Sequence, residues 1–120
     1  MDRAALQAWV ELYERAWRSP GTALIAELFA PAATYRMGPF QEAHRGLVAI
    51  ERLWEAEREG PDETFTLETE IVAVEGEAGV VRAEVVYASP PAHWRDLWIV
   101  RLDSEGRCTA FEEWPFLARK

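Results

Sequence analysis

The chain predicts an α+β fold: three N-terminal helices packed in a curved, four-to-six-stranded antiparallel sheet, forming a cone-shaped α+β barrel. Apolar residues recur at helical spacing up to about residue 59, then alternate with period two from about residue 64. Gly and Pro punctuate the chain at Pro20-Gly21, Gly38-Pro39, Gly60-Pro61 and Pro90-Pro91. Helices first and a meander of strands last is an α+β order rather than a βαβ alternation. Residues 1–120 read as one domain, large enough for a modest core.

The first helix spans 3–18. Leu6, Trp9, Val10, Tyr13, Ala16 and Trp17 form its apolar stripe, Asp2 is its N-cap, and Ser19-Pro20-Gly21 ends it. Thr22 to Phe29 make a short second helix, stopped before Pro31. Ala33–Met37 is a short strand closed by Gly38-Pro39. Leu47, Ile50, Leu53 and Trp54 define a third helix over about 46–59, with His44 at its N-terminus and Gly60-Pro61 after it. Strands follow at about 64–74, 80–88, 94–102 and 107–114, the last two forming a hairpin across Asp103-Ser104-Glu105-Gly106. The sheet must curl over the first helix to bury its Trp and Tyr stripe, and such a cone tends to hold a pocket.

A net charge of −8 disfavours nucleic acid and anionic membrane surfaces as partners. The one cysteine, Cys108, excludes an internal disulfide and reads as a small buried residue. No run has membrane-spanning length and the N-terminus has no apolar segment, so a cytoplasmic protein is expected. His44 and His93 have no acid or cysteine spacing that builds a metal site, so no metal or cofactor is expected.

The last hairpin carries the chemistry. Asp96, Glu112 and Glu113 lie among Trp94, Trp98, Phe111, Trp114 and Phe116. A carboxylate buried among aromatics is costly unless paired or protonated, and a shifted pKa makes a general acid or base. The plainer reading leaves these acids on the wet face of a half-buried sheet. Alternation within hairpins of guessed register places Arg82, Glu84, Trp94, Asp96, Trp98, Phe111 and Glu113 on one face, and Ile71, Val85, Tyr87, Leu97, Ile99 and Ala110 on the other. The second face is the more apolar. Pointing it at the helices would expose Trp94, Trp98 and Phe111, so both orientations stay open on this count.

Leu28–Tyr35, Gly46–Ile50, and Ser104–Arg107 leading into Phe111–Trp114 resemble segments of SnoaL-like polyketide cyclases, ketosteroid isomerases and limonene epoxide hydrolases. These share the nuclear transport factor 2-like fold, and the resemblance covers nearly the whole chain. It implies that the Trp98-bearing face lines the cavity. Against ketosteroid isomerase, Tyr13 matches the oxyanion-hole tyrosine, while Met37 and Trp98 stand where two catalytic acids would be. Against limonene epoxide hydrolase, Arg82-Ala83-Glu84 matches the Arg-x-Asp strand motif, Glu113 the last-strand acid and Tyr35 the pocket tyrosine, and Met37 replaces a water-positioning asparagine. The resemblance thus implies Glu113 as base, Glu84 as acid and Arg82 between them, with Asp96 raising the pKa of Glu113. It implies Tyr13, Trp17, Tyr35, Met37, Trp98 and Phe111 as ligand contacts. Read by spacing alone, Tyr13 and Trp17 are core residues, and Arg82 and Glu84 are a surface ion pair.

The expected function is acid–base catalysis on an apolar, oxygen-bearing small molecule: hydration, cyclisation or isomerisation. The alternatives are a non-catalytic hydrophobic-ligand binder and a dimeric interaction domain. Two apolar sheet faces exceed what three helices can cover. A homodimer is therefore expected through the outer face around Val85, Leu97, Ile99 and Ala110.

Overall fold

The computed structural model describes residues 1–58, 64–88 and 90–119. Three helices and six strands follow in order: α1 (Arg3–Arg18), α2 (Ile25–Leu28), β1 (Phe29–Arg36), β2 (His44–Arg45), α3 (Leu47–Glu57), β3 (Phe65–Glu75), β4 (Ala78–Ala88), β5 (Pro91–Leu102) and β6 (Cys108–Arg119). The expected stop of the third helix at Gly60-Pro61 lies outside the described residues.

Helix α1 begins where Asp2 accepts a 2.8 Å hydrogen bond from the Ala5 amide, satisfying one of the orphan donors of the first turn. Its buried stripe is Leu6, Trp9, Val10, Tyr13 and Ala16. Polar clips hold both ends to β3. Arg3 Nη1 donates to the Ile71 carbonyl at 3.1 Å, and Arg18 Nη1 donates to the Phe65 carbonyl at 2.9 Å. The Arg18 guanidinium also lies 4.1 Å over the Phe65 ring. Beyond α3, Arg58 Nη2 reaches the Ala16 and Trp17 carbonyls in the last turn of α1, the former shared with the Ser19 amide.

The second helix is shorter than expected. Only one turn forms, and Phe29 already starts β1, where it is buried. His44 is not at a helix end. With Arg45 it makes β2, pairing with Thr34 and Tyr35.

The sheet order is β2-β1-β6-β5-β4-β3. The sheet has edges at β2 and β3, so it is open rather than a closed barrel, and it is mixed rather than purely antiparallel. The exception is β1, which runs parallel to β6. No turn joins those two strands, so local turn chemistry cannot report their direction; only the global path of the chain sets it.

The register corrects the predicted faces. Within β5–β6, Trp98 pairs with Glu113 and Asp96 with Pro115, a two-residue slip that preserves the face. Between β4 and β5, Ala88 pairs with Pro91 instead of Trp94. That odd shift turns β3 and β4 over relative to β5 and β6. Val81, Ala83, Val85, Tyr87, Leu67 and Ile71 therefore share a face with Trp94, Asp96, Trp98, Phe111 and Glu113. This face meets the helices: Val81, Ala83, Trp98, Val100 and Phe111 pack with the α1 stripe, Phe29, Tyr35, Ile50 and Trp54 in one core. The composite face is more apolar than either one predicted, which satisfies burial on both hairpins at once.

Candidate functional site

Helices α1 and α3 do not fill the space above the sheet at one end. A cavity of about 340 Å³ remains there. Its walls are Tyr13 and Trp17 of α1; Tyr35 of β1; Met37; Leu53, Trp54 and Glu57 of α3; Phe65 and Leu67 of β3; Val85 and Tyr87 of β4; Pro90; Ala92, Trp94, Asp96 and Trp98 of β5; and Glu113 and Pro115 of β6.

Two polar pairs face this cavity. Asp96 and Glu113 are side by side in the wall and share a hydrogen bond. Burial pushes Glu113 well above the usual carboxylate range; the bond to Asp96 and the negative charges of Asp96 and Glu57 push it the same way. Burial also raises Asp96, while the bond from Glu113 and the nearby Trp98 indole oppose that rise. The bond favours the charged form of Asp96 and the neutral form of Glu113. Glu113 therefore holds the proton and donates it to the Asp96 carboxylate, and the two titrate as a unit. Asp96 Oδ1 and Trp98 Nε1 are both buried without a hydrogen-bond partner. The indole N–H acts on the carboxylate without closing a bond of ordinary geometry.

The second pair is phenolic. The Tyr13 and Tyr35 hydroxyls are 3.1 Å apart. Burial pushes both well above the usual phenol range, and Glu113 adds to each. Both phenols are therefore neutral donors at ordinary pH. Tyr13 is clamped between Trp98 at 4.8 Å and Trp54 at 5.2 Å between ring centroids. Each hydroxyl is thus fixed by packing rather than by a flexible loop.

Several residues singled out in the sequence meet here: Tyr13, Trp17, Tyr35, Met37, Trp98, Asp96 and Glu113 all line the cavity. Phe111 does not; it lies beneath, 4.6 Å from Tyr35 and 5.6 Å from Tyr13, as the floor that supports both rings. Arg82 and Glu84 are not brought to the cavity, because the β4–β5 shift turns them outward. Arg82 pairs with Glu70 at 3.3 Å, both about two-thirds exposed. Glu84 Oε2 meets His93 Nε2 at 2.6 Å and Arg95 Nε at 3.3 Å. These partners hold the Glu84 carboxyl below its usual range, His93 contributing most. Of the expected dimer residues, Leu97, Ile99 and Ala110 take the outer face, whereas Val85 lines the cavity.

The sequence reading missed Trp54, Glu57, Phe65 and Tyr87 as cavity residues. The first two had a signal, since Leu53, Trp54 and Glu57 share one side of α3 at spacings of three and four. Phe65 and Tyr87 form a cross-strand aromatic pair 5.7 Å apart that only the correct register reveals. Among the described residues no group of His, Cys, Asp and Glu is arranged to hold a metal ion. Cys108 is buried and its thiol is pushed up to about 12, which keeps it protonated and unreactive. Among the described residues no helix is long and apolar enough to cross a membrane.

Comparison with known proteins agrees with this geometry. Residues 9–111 match the model of the SnoaL-like domain. A candidate polyketide cyclase from Sinorhizobium meliloti is 26% identical, over 91% of this chain and 97% of its own, with a TM-score of 0.68. A candidate isomerase of the SnoaL-like family from Agrobacterium tumefaciens is 19% identical, over 94% and 98%, with a TM-score of 0.71. SalBIII, an epoxide hydrolase/cyclase-like enzyme with a role in pyran ring formation in the polyether salinomycin, is 13% identical, over 95% and 92%, with a TM-score of 0.74. At the last two identities the likeness is one of fold. No curated protein matches the chain in sequence.

Proposed function

The chain belongs to the SnoaL-like domain family, and from that premise we propose that it is a small acid–base enzyme acting on an apolar, oxygen-bearing molecule. The reaction class is hydration, cyclisation or isomerisation, with no metal or redox cofactor taking part. The observation that carries this reading is the hydrogen-bonded Asp96–Glu113 pair in the wall of an aromatic cavity. One member is protonated and one ionised, so the pair can give a proton at one atom and take one at another within a single turnover. Glu113 is the acid for a substrate oxygen, and Asp96 is the base for a water, hydroxyl or C–H. The Tyr13 and Tyr35 phenols donate to charge developing on that oxygen. This differs from the Arg82–Glu84–Glu113 arrangement of the epoxide-hydrolase analogy: Glu113 takes the acid role given there to Glu84, Asp96 takes the base role given to Glu113, and the arginine has no counterpart in the wall.

The test is turnover on a panel of apolar epoxides, enones and lactones. Glu113→Gln and Asp96→Asn should each lower kcat by roughly 10²–10⁴-fold on whichever probe the wild type converts. Binding of that probe and the circular dichroism spectrum should be retained. Full turnover in either variant would remove that residue from the chemistry, and binding without turnover by the wild type across the panel would leave a ligand-binding domain.

The outer sheet face supports a second proposal, a homodimer. Leu97, Ile99 and Trp114 are only half-buried there, and Val86 and Phe116 are exposed. Sedimentation at micromolar concentration should give the dimer mass, and Ile99→Arg should give the monomer. The cytoplasm is our proposed compartment, since a lone buried thiol suits reducing surroundings.

A further inference from the structure

The cavity wall is one-sided in charge. It carries Glu57, Asp96 and Glu113, and no Lys, Arg or His among the described residues. Two guanidiniums lie against rings of the wall, Arg18 at 4.1 Å over Phe65 and Arg58 at 5.2 Å over Trp17. Arg18 is bound to Glu14 and the Phe65 carbonyl, and the Arg58 Nη atoms to the Gly21, Ala16 and Trp17 carbonyls, and neither lines the cavity. The remaining polar wall groups that titrate are the phenols of Tyr13, Tyr35 and Tyr87, which bring no positive charge. Four tryptophans, three tyrosines and Phe65 make up about half of the remaining wall, and aromatic faces attract cations.

A buried carboxylate without a cation is an unfavourable arrangement, which the pair relieves by keeping one proton. Asp96 is 6% exposed, and its Oδ1 still has no hydrogen-bond partner. The wall therefore lacks one positive charge and one donor. A protonated amine supplies both. It can donate to the carboxylates while its carbon skeleton lies on Trp17, Trp54 and Trp98.

We propose that the natural substrate carries a protonated amine, held between the Asp96–Glu113 pair, Glu57 and the aromatic wall, and that carboxylates are excluded. This rests on the reading of the cavity as the substrate site and names the substrate's charge. The arrangement gives a direction to pH as well. A bound ammonium donates to the Asp96 carboxylate while Glu113 keeps its proton, so affinity rises with pH as the pair loses its second proton and the amine remains charged. Glu57, from α3, adds its field to the same centre; Tyr13 and Tyr35, from α1 and β1, stay neutral over that range, and Tyr87 of β4 also faces the cavity.

The experiment compares cyclohexylmethylamine, cyclohexylmethanol and cyclohexanecarboxylate, three skeletons of one size, by calorimetry and by fluorescence of the cavity tryptophans. At pH 8 the amine should bind at least about tenfold more tightly than the alcohol, and the carboxylate should not bind. The amine's advantage should shrink at pH 5. Glu57→Gln should reduce it in part, and the Asp96→Asn/Glu113→Gln double variant should abolish it while leaving the alcohol's affinity. Equal affinity for alcohol and amine, an amine preference that survives the double variant, or no saturable binding of the amine would overturn the proposal. Proton transfer by the pair is judged by turnover of neutral epoxides, enones and lactones, so the two readings fail separately.

Discussion

Two groups of carboxylates lie back to back on the same sheet, and they behave oppositely. Inside, Asp96 and Glu113 face aromatic rings and the helices; outside, Glu84 faces His93 and Arg95. On strands β4 and β5 the groups are neighbours, since Glu84 pairs with Arg95 and Ala83 with Asp96. Yet burial pushes Glu113 up, while cationic partners push Glu84 down. The residue type is the same for both glutamates. The face of the pleat decides whether an acid holds a proton or an ion pair, and the face is set by a register that a single turn controls.

The strongest way to break this comparison is to put a charge on the wrong face. Ala83 is buried directly opposite Asp96. Ala83→Asp places a further carboxyl against the pair, without a cation, and should cost about 3–5 kcal/mol by urea denaturation. Arg82→Ala, one residue along and facing solvent, should change stability by no more than about 0.5 kcal/mol. Similar costs for the two would mean the faces are assigned the wrong way round.

A volume change tests the same inner face farther down β4. A Cβ at Gly79 would come within 2.5 Å of Leu6 Cδ2 and 3.2 Å of Met1 Sδ. Leu6 is fully buried and cannot swing away into solvent. Gly79→Ala should therefore destabilise by about 1–3 kcal/mol, read as a lower urea midpoint with an unchanged slope.

Local signals made much of this architecture legible. The extent of α1 and its Asp2 cap could be read from spacing and one side chain. The hairpin of β5 and β6 could be read because its turn is chemically explicit: Asp103 Oδ1 accepts from the amides of Glu105 and Arg107, and Gly106 takes φ +83°. That turn put Asp96, Trp98 and Glu113 on one face, and the family resemblance alone implied that this face turns inward. The β4–β5 connection had no such signature. Its prolines fitted a five-residue loop as well as the shorter link between Ala88 and Pro91, and the difference sent Arg82 and Glu84 outward. The parallel β1–β6 pairing and the two-residue β2 were illegible for another reason. Their partners are distant in sequence, so only the closed core selects them.

The buried pair should leave an imprint on stability with a definite sign. The folded state binds the Glu113 proton more tightly than the unfolded chain does, because its pKa is raised. Stability is then full below the ordinary glutamate pKa and falls as pH rises toward the raised value. Glu113→Gln removes that loss. The variant should match the wild type near pH 4 and exceed it near pH 8. Thermal unfolding at the two pH values measures the difference. A wild-type advantage that grows with pH would mean Glu113 is stabilised as an ion.

The smallest effect comes from the outer glutamate, and its sign is reversed. Glu84 is lowered by His93 and Arg95, so its contribution is present above the ordinary glutamate pKa and is lost as pH falls through its depressed folded value. Glu84→Gln should therefore narrow the gap to the wild type on acidification, where Glu113→Gln narrows it by the same change of pH for the opposite reason: Glu113 is then neutral in the wild type, as the glutamine is in the variant. Salt separates the two. Glu84 and Arg95 are in contact with water and are screened by added salt, whereas the inner pair lies behind Trp98. Thermal scans of Glu84→Gln should show a small loss at low ionic strength that vanishes in about 1 M salt, where the Debye length is about 3 Å. Turnover should be unchanged throughout, because the Glu84 carboxylate and the cavity are on opposite sides of one sheet. A fall in kcat for Glu84→Gln comparable to that for Glu113→Gln would return Glu84 to the chemistry and overturn the division of the sheet into two faces.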